Sequence, residues 1–181
     1  NSEYSVQSYK SFINNMMKEN VLNPVIIRHI FMMDDTEKFQ INASTEFGVL
    51  LTDGMIDGIW IEPSNKLTLN TAFGILQATR ARITKTDYIS CPSCGRTLFN
   101  LQEVSAKIRE KTAHLVGLKI GIMGCIVNGP GEMADADYGY VGVGDNKISL
   151  YRGQEVVQKN IPSDDAVNAL IELIKSDGKW K

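Results

Sequence analysis

The chain has 181 residues, of which 43% are hydrophobic and 22% are charged, and its formal net charge is −2. This length and apolar content predict one well-packed domain, or one domain with a smaller unit beside it. The balanced charge argues against a nucleic-acid partner, and no apolar run approaches the roughly 18 residues of a membrane-spanning helix. We therefore expect neither nucleic acid nor a membrane as a partner.

The start of the chain and its cysteine content indicate the compartment. The chain begins with Asn1 instead of Met, so we expect part of a longer protein. Its first residues lack the charged and then apolar pattern of a signal peptide. Three cysteines cannot all pair with one another, and without an export signal a disulfide framework is not expected. We therefore predict a cytoplasmic protein with reduced thiols.

The first part of the chain alternates predicted helices and strands, which is typical of α/β proteins. The apolar face of its first helix consists of Val6, Tyr9, Phe12, Ile13, Met16 and Met17. Asn23 and Pro24 end this helix. Strands are predicted at residues 25–31 and 58–62, a helix at residues 43–51, and a further helix at residues 69–83.

The composition changes near Thr84, and the second part is predicted to be a mixed sheet flanked by helices. Its strands are predicted at residues 88–90, 119–123, 138–143, 147–151 and 155–159. One helix ends near His114, and its apolar face consists of Leu98, Leu101, Val104 and Ile108. The last helix is predicted to begin with Ser163 as its cap, and its core face consists of Val167, Leu170, Ile171 and Ile174. The predicted fold class is α/β, with an α+β mixed sheet in the second part.

Three cysteines lie where such a fold places its chemistry. Cys91 and Cys94 form a C-x-x-C loop after one predicted strand, and Cys125 follows the strand at residues 119–123. Ligands of α/β sheets gather at the ends of strands. The spacing leaves four interpretations open: incidental thiols, a redox pair, a zinc site and an iron–sulfur cluster.

The alternatives differ in what they require of other residues. A redox pair leaves Cys125 without a role, and Gly95 stands where the helix of such a motif begins. A structural zinc ion needs four ligands, usually Cys or His, and the chain contains only His29 and His114. We interpret His29 as a packing residue in a strand and His114 as a helix-terminal residue. A zinc-stabilised structural or interaction module is therefore the second hypothesis.

An iron–sulfur cluster suits the three cysteines better. Thiolates hold such clusters, and glycine-rich backbone beside them supplies N–H donors to the sulfurs. Residues 128–131 form such a segment after Cys125. Four irons need four outer ligands, so three cysteines leave one iron for an oxygen ligand, a water molecule or a substrate. Glu132 follows this segment. Its carboxylate is either the oxygen ligand of that iron, which would be harder and more exchangeable than a thiolate, or a solvated loop carboxylate.

Two segments of the chain resemble one family. The sequences YISCPSCGRT at residues 88–97 and IMGCIVNGPGE at residues 122–132 are similar to the C-terminal domain of the 4-hydroxy-3-methylbut-2-enyl diphosphate synthase family, also called IspG or GcpE. The resemblance is strong over residues 70–181. Upstream it is weaker and resembles the long form of the family, which has an extra domain. It implies that residues 1–70 are the end of that insertion or linker, and that residues 71–181 are the reductase domain.

The resemblance also implies a fold, a cofactor and a reaction. The C-terminal domain is expected to resemble the iron–sulfur domain of sulfite reductase. A 4Fe–4S cluster is expected on Cys91, Cys94, Cys125 and Glu132, and the implied catalytic residues are Glu132 and Asn128. The implied reaction is the reductive opening of 2-C-methyl-D-erythritol 2,4-cyclodiphosphate to 4-hydroxy-3-methylbut-2-enyl diphosphate in the non-mevalonate isoprenoid pathway. Flavodoxin or ferredoxin is the implied electron donor.

One departure from the family limits this expectation. The family also uses a triosephosphate-isomerase-type barrel, which takes about 250 residues and therefore lies outside this chain. The diphosphate-binding Arg and Lys residues are expected in that barrel, whereas Arg96 either enters the site or pairs with a surface carboxylate. We expect the barrel as a partner, a homodimer of the longer enzyme, and no turnover by this chain alone.

Overall fold

The computed structural model describes residues 6–32, 34–127 and 129–181, and it divides into two compact units, Asn1–Thr84 and Lys85–Lys181. The change in composition near Thr84 coincides with this division. The domain boundary implied by the family resemblance, between residues 70 and 71, lies inside a helix of the first unit, Lys66–Ala78. Within the described ranges, no helix is both long enough and apolar enough to cross a membrane.

The first unit consists of two parallel strands and three helices. Its elements are α1 (Val6–Lys18), β1 (Ile26–Ile30), α2 (Thr36–Thr52), β2 (Gly58–Glu62) and α3 (Lys66–Ala78). β1 pairs with β2 in parallel, with Ile26 opposite Gly58. The core of this unit is apolar and includes Phe39, Phe47 and Leu50 of α2. The predicted alternation of helices and strands is therefore confirmed, and β2 has its predicted limits.

Two predicted helix limits in this unit are wrong, because local backbone features set them and apolar periodicity does not. α2 begins well before residue 43, since the side chain of Asp35 accepts hydrogen bonds from the N–H groups of Glu37 and Lys38. α3 ends before residue 83, since Arg80 has a positive φ of 59°, which ends right-handed helix geometry.

The predicted apolar face of α1 is broader than the face that the structure buries, and α3 also exposes an apolar residue. In α1, Ile13 is buried, whereas Phe12 and Met17 are exposed. In α3, Leu69 is exposed, and the buried residues of this helix are Thr68, Thr71 and Ile75. An apolar residue beside a buried stripe commonly stays on the surface, because folded proteins expose much apolar area.

The second unit is a five-stranded mixed sheet with helices. Its elements are β3 (Asp87–Ser90), α4 (Leu101–Thr112), β4 (Lys119–Met123), α5 (Gly129–Glu132), β5 (Tyr138–Gly144), β6 (Lys147–Arg152), β7 (Glu155–Pro162) and α6 (Ser163–Ser176). The strand order is β3-β4-β5-β6-β7. The first three strands are parallel, and β5, β6 and β7 are antiparallel. This architecture confirms the predicted α/β class with a mixed sheet.

Two helix starts differ from prediction, and β7 extends to Pro162, beyond its predicted end at residue 159. α4 begins after residue 98, because Asn100 caps it by accepting a hydrogen bond from the N–H group of Glu103. Ser163 is the first helical residue of α6 instead of its cap, and Pro162 occupies the cap position without a side-chain hydrogen bond. The short helix α5 was predicted as a glycine-rich turn.

The main core of the second unit lies between the sheet and helices α4 and α6. Ile120 and Ile122 of β4 are fully buried there, together with Ile108 of α4. The predicted core face of α6 is confirmed, because Val167, Leu170, Ile171 and Ile174 are all buried, together with Ala166 and Leu173. A smaller cluster on the sheet includes Met123, Met133 and Val141. This packing fixes the carboxyl end of β4, where Cys125 follows.

Asp177 links the end of α6 to the sheet and predicts a pH dependence. Its carboxylate accepts two hydrogen bonds from the Arg152 guanidinium, at 2.8 and 2.6 Å, and one from the Tyr138 hydroxyl at 2.8 Å. These donors, Arg152 first, hold the pKa of Asp177 below its ordinary value of 3.8. Its ionised form therefore contributes stability above that value, and the contribution disappears as pH falls through the lower folded pKa.

We expect Asp177→Asn to lower the Tm at neutral pH, and to have no effect on the Tm in strong acid, where the wild-type carboxyl is also protonated. Thermal unfolding of both proteins over a series of pH values measures this difference. A difference in Tm that stays constant through the acid range would show that the charge of Asp177 is not its cause.

Candidate metal centre

The two cysteine segments leave the sheet side by side. β3 and β4 are parallel neighbours, with Ser90 opposite Ile122, so their carboxyl ends lie at the same edge. The N–H group of Cys91 donates to the carbonyl of Ile122 at 3.3 Å. The N–H group of Gly124 donates to Sγ of Cys91, also at 3.3 Å. A backbone N–H group is thus already directed at one of the three sulfurs, as in the surroundings of cluster ligands.

The four predicted ligands line one small cavity at this edge. Its volume is about 120 Å³, and its lining includes Cys91, Cys94, Cys125 and Glu132. Cys91 and Cys125 are half-buried, whereas Cys94 and Glu132 are exposed. The site is therefore partly open to solvent on the side of Cys94 and Glu132.

The donor set of this cavity fits an iron–sulfur cluster. A cubane distributes its outer ligands over four irons, so these ligands surround the cluster and do not converge on one point. In the described part of the chain, no group of three His, Cys, Asp or Glu side chains is arranged to hold a metal ion. The fit therefore rests on the three thiols and one carboxylate around one cavity, and on the N–H···S hydrogen bond to Cys91.

Arg96 lies beside Cys94 and favours its thiolate. A hydrogen bond from the backbone N–H group of Arg96 lowers the pKa of Cys94 most. A hydrogen bond from the Arg96 side chain lowers this pKa further. The thiolate is the form of cysteine that binds metals. Of the two roles considered for Arg96, the structure favours the one at the site, because Arg96 lines the cavity.

Glu132 lies on a helical turn instead of an irregular loop. It is the last residue of α5, which begins at Gly129. Pro130 suits the first turn of a helix because its missing N–H group has no helical partner there. A Cβ atom on Gly129 would lie 2.8 Å from Cβ of Met123, so the turn packs closely on the end of β4. Asn128, the other predicted catalytic residue, is outside the described residues.

Each histidine packs against an aromatic ring of its own unit. His114 makes a T-shaped contact with Trp180, with ring centroids 4.9 Å apart, and it lines a different cavity with Arg152. His29 lies in β1 of the first unit and stacks on Phe31 at 4.2 Å. The interpretation of His29 as a packing residue in a strand is confirmed. The Cys₃His arrangement of the second hypothesis is not favoured.

Sequence reasoning did not single out Thr97, which also lines the cavity. Its side chain accepts a hydrogen bond from the N–H group of Cys94 at 3.1 Å. A threonine three residues after a turn residue commonly bonds back to the backbone, and this spacing is a signal that was available in the sequence.

Comparison with known proteins identifies similarity to one family over this unit. Residues 87–176 match the family model described as the GcpE protein C-terminal domain. The matched segment begins with β3 and ends with α6. It therefore includes the five-stranded sheet and all the residues around the cysteine cavity.

Curated relatives are similar to nearly the whole chain. A Bacteroides fragilis protein named 4-hydroxy-3-methylbut-2-en-1-yl diphosphate synthase (flavodoxin) is 54% identical over 180 residues, which are 97% of this chain and 29% of the relative. A protein of the same name from Parabacteroides distasonis is 58% identical over 87% of this chain and 26% of the relative. An Arabidopsis thaliana protein named 4-hydroxy-3-methylbut-2-en-1-yl diphosphate synthase (ferredoxin), chloroplastic, is 53% identical over 91% of this chain and 23% of the relative. The chain thus spans less than a third of the length of each of these relatives.

Proposed function

Because residues 87–176 place this chain in the GcpE protein C-terminal domain family, we propose that it is the cluster-bearing part of a 4-hydroxy-3-methylbut-2-enyl diphosphate synthase, an oxidoreductase. One observation carries this proposal: Cys91, Cys94, Cys125 and Glu132 line the same cavity. Three thiolates and one carboxylate are a suitable ligand set for a 4Fe–4S cluster with one exchangeable position. The second unit is proposed to be the reductase domain, with a fold like the iron–sulfur domain of sulfite reductase.

The proposed reaction opens 2-C-methyl-D-erythritol 2,4-cyclodiphosphate. Two electrons and two protons convert this substrate into 4-hydroxy-3-methylbut-2-enyl diphosphate and one water. When bound, the cluster supplies electrons one at a time and one iron that accepts an oxygen ligand. The names of the relatives mention flavodoxin in Bacteroides fragilis and ferredoxin in Arabidopsis thaliana, so we propose one of these carriers as the donor in the cytoplasm.

The residues of this chain are proposed to have separate tasks in the reaction. Cys91, Cys94 and Cys125 hold the cluster as thiolates, and Arg96 favours the thiolate form of Cys94. Glu132 is proposed as the exchangeable oxygen ligand, since its carboxylate is exposed and lines the cavity. Asn128 is proposed to contact the substrate. A barrel in the longer polypeptide is proposed to bind the diphosphate, so this chain alone is expected to bind the cluster without turnover.

The ligand role of Glu132 predicts the effect of replacing it. We expect Glu132→Ala to acquire a cluster on its three cysteines, but to lose iron in air several times faster than wild type, because one iron then lacks a protein ligand. The electron paramagnetic resonance spectrum of the reduced protein should also change. Both properties are measured after anaerobic reconstitution with iron and sulfide.

Glu110→Ala is the matched control, since Glu110 is an exposed carboxylate on α4. Its iron content and spectrum are expected to equal those of wild type. If Glu132→Ala also kept the wild-type spectrum and the wild-type rate of iron loss, Glu132 would be a solvated carboxylate without a ligand role.

A further inference from the structure

Thr97 closes the turn that follows Cys94. Its Oγ1 accepts a hydrogen bond from the N–H group of Cys94 at 3.1 Å. In return, the N–H group of Thr97 donates to the carbonyl of Cys94 at 2.9 Å. The backbone of Cys94 is therefore held from both sides by a single residue.

The same hydroxyl contacts the middle of the C-x-x-C loop. Oγ1 of Thr97 lies 3.2 Å from Oγ of Ser93. Ser93 has a φ of 68°, in the left-handed region that residues other than glycine seldom adopt. Such backbone persists where the surroundings hold it in place, and here the Thr97 hydroxyl is one of the groups that do so.

The side chain of Thr97 also lies against the other cysteine segment. A Cβ atom on Gly124 would lie 2.8 Å from both Cγ2 and Oγ1 of Thr97, so only glycine allows this close approach. Gly124 donates its N–H group to Sγ of Cys91 and accepts from the N–H group of Leu98 at 3.1 Å. Thr97 therefore bonds to the backbone of Cys94 and also contacts Gly124, whose N–H group donates to Cys91.

We propose that Thr97 is a positioning residue for the cluster, and this inference rests on the function proposed above. The Thr97 hydroxyl holds Cys94 at the cavity, and the methyl group keeps the C-x-x-C loop at a fixed distance from the segment of Cys125. Thr97 itself contributes no ligand. The two halves of its side chain can be tested separately, because valine keeps the shape and serine keeps the hydroxyl.

The first test uses the full 181-residue chain, reduced and free of metal, and measures amide hydrogen exchange of Cys94 by NMR. Thr97→Val is expected to accelerate this exchange about tenfold, because the Cys94 N–H group loses its acceptor. Thr97→Ser is expected to keep the wild-type rate. Thr79→Val is the control, since it removes a side-chain hydrogen bond to Ile75 in the first unit and should not change Cys94.

The second test follows the reconstituted protein. Thr97→Val is expected to lose iron to a chelator several times faster than wild type and to show a shifted reduction potential, and Thr97→Ser should restore most of both properties. An unchanged exchange rate at Cys94 in Thr97→Val would overturn the positioning role. Failure of the wild-type chain to take up iron would overturn the proposed function and the cluster part of this inference, while the exchange of Cys94 would still decide whether Thr97 positions the loop.

Discussion

Replacing Cys125 with alanine is expected to reduce bound iron from about four atoms per chain to less than one. Cys125 is the only thiol that follows β4, whereas Cys91 and Cys94 both follow β3. Without Cys125, the cavity keeps two thiols and the exposed carboxylate of Glu132. Two thiolates on one loop leave half of a cubane without strong ligands, so reconstitution should fail.

The measurement is iron and sulfide content after anaerobic reconstitution, together with visible absorption. Ile126→Ala is the matched control, because Ile126 is the next residue, is exposed, and offers no ligand atom. The metal-free Cys125→Ala protein should unfold within about 1 kcal/mol of wild type, as expected for a half-buried side chain. A Cys125→Ala protein that binds iron as wild type does would remove Cys125 from the ligand set.

Gly142→Ala is expected to destabilise the second unit by about 3 kcal/mol, at the upper end of the usual cost of overpacking. A Cβ atom at this position would lie 2.5 Å from the carbonyl oxygen of Gly124 and 3.2 Å from Cε1 of Phe99. The carbonyl belongs to backbone at the end of β4, so relief of the clash must displace the cysteine segment itself. Iron uptake should therefore decrease together with stability.

Gly144→Ala is the control on the same strand. A Cβ atom there would meet only Lys147, at 4.0 Å, which is ordinary van der Waals contact. We expect its free energy of unfolding to stay within about 0.5 kcal/mol of wild type. Chemical denaturation of both variants measures the comparison. Equal stability of the two variants would mean that the ends of β4 and β5 are not packed as tightly as described.

Strands were predicted more accurately than helix ends, for a physical reason. β2 and β4 have their predicted limits because short apolar runs next to Gly or Pro define them well. Helix ends depend on single polar contacts or on one backbone angle. The Asp35 cap places the start of α2 before the predicted residue, and the positive φ of Arg80 ends the helical path after α3. Neither feature produces a periodic pattern of apolar residues, so periodicity could not predict it.

Four residues of the candidate cavity, Cys91, Cys94, Cys125 and Glu132, were predictable from the sequence, but their arrangement was not. Cys91 and Cys125 each follow a predicted strand, which indicated them as candidate ligands. Only the parallel pairing of β3 and β4 shows that these two strands are neighbours. The helical turn that carries Glu132 was not expected from a segment with two glycines and a proline. The contact between Thr97 and Gly124 joins segments distant in the sequence, so no local pattern reveals it.

The most direct test of the central claim is the iron, sulfide and zinc content of the wild-type chain after anaerobic reconstitution, with absorption and electron paramagnetic resonance spectra. We predict about four irons and four sulfides per chain, a broad visible absorption that bleaches on reduction, and no stoichiometric zinc. Stoichiometric zinc without iron uptake would contradict the proposal and favour a zinc-stabilised structural module.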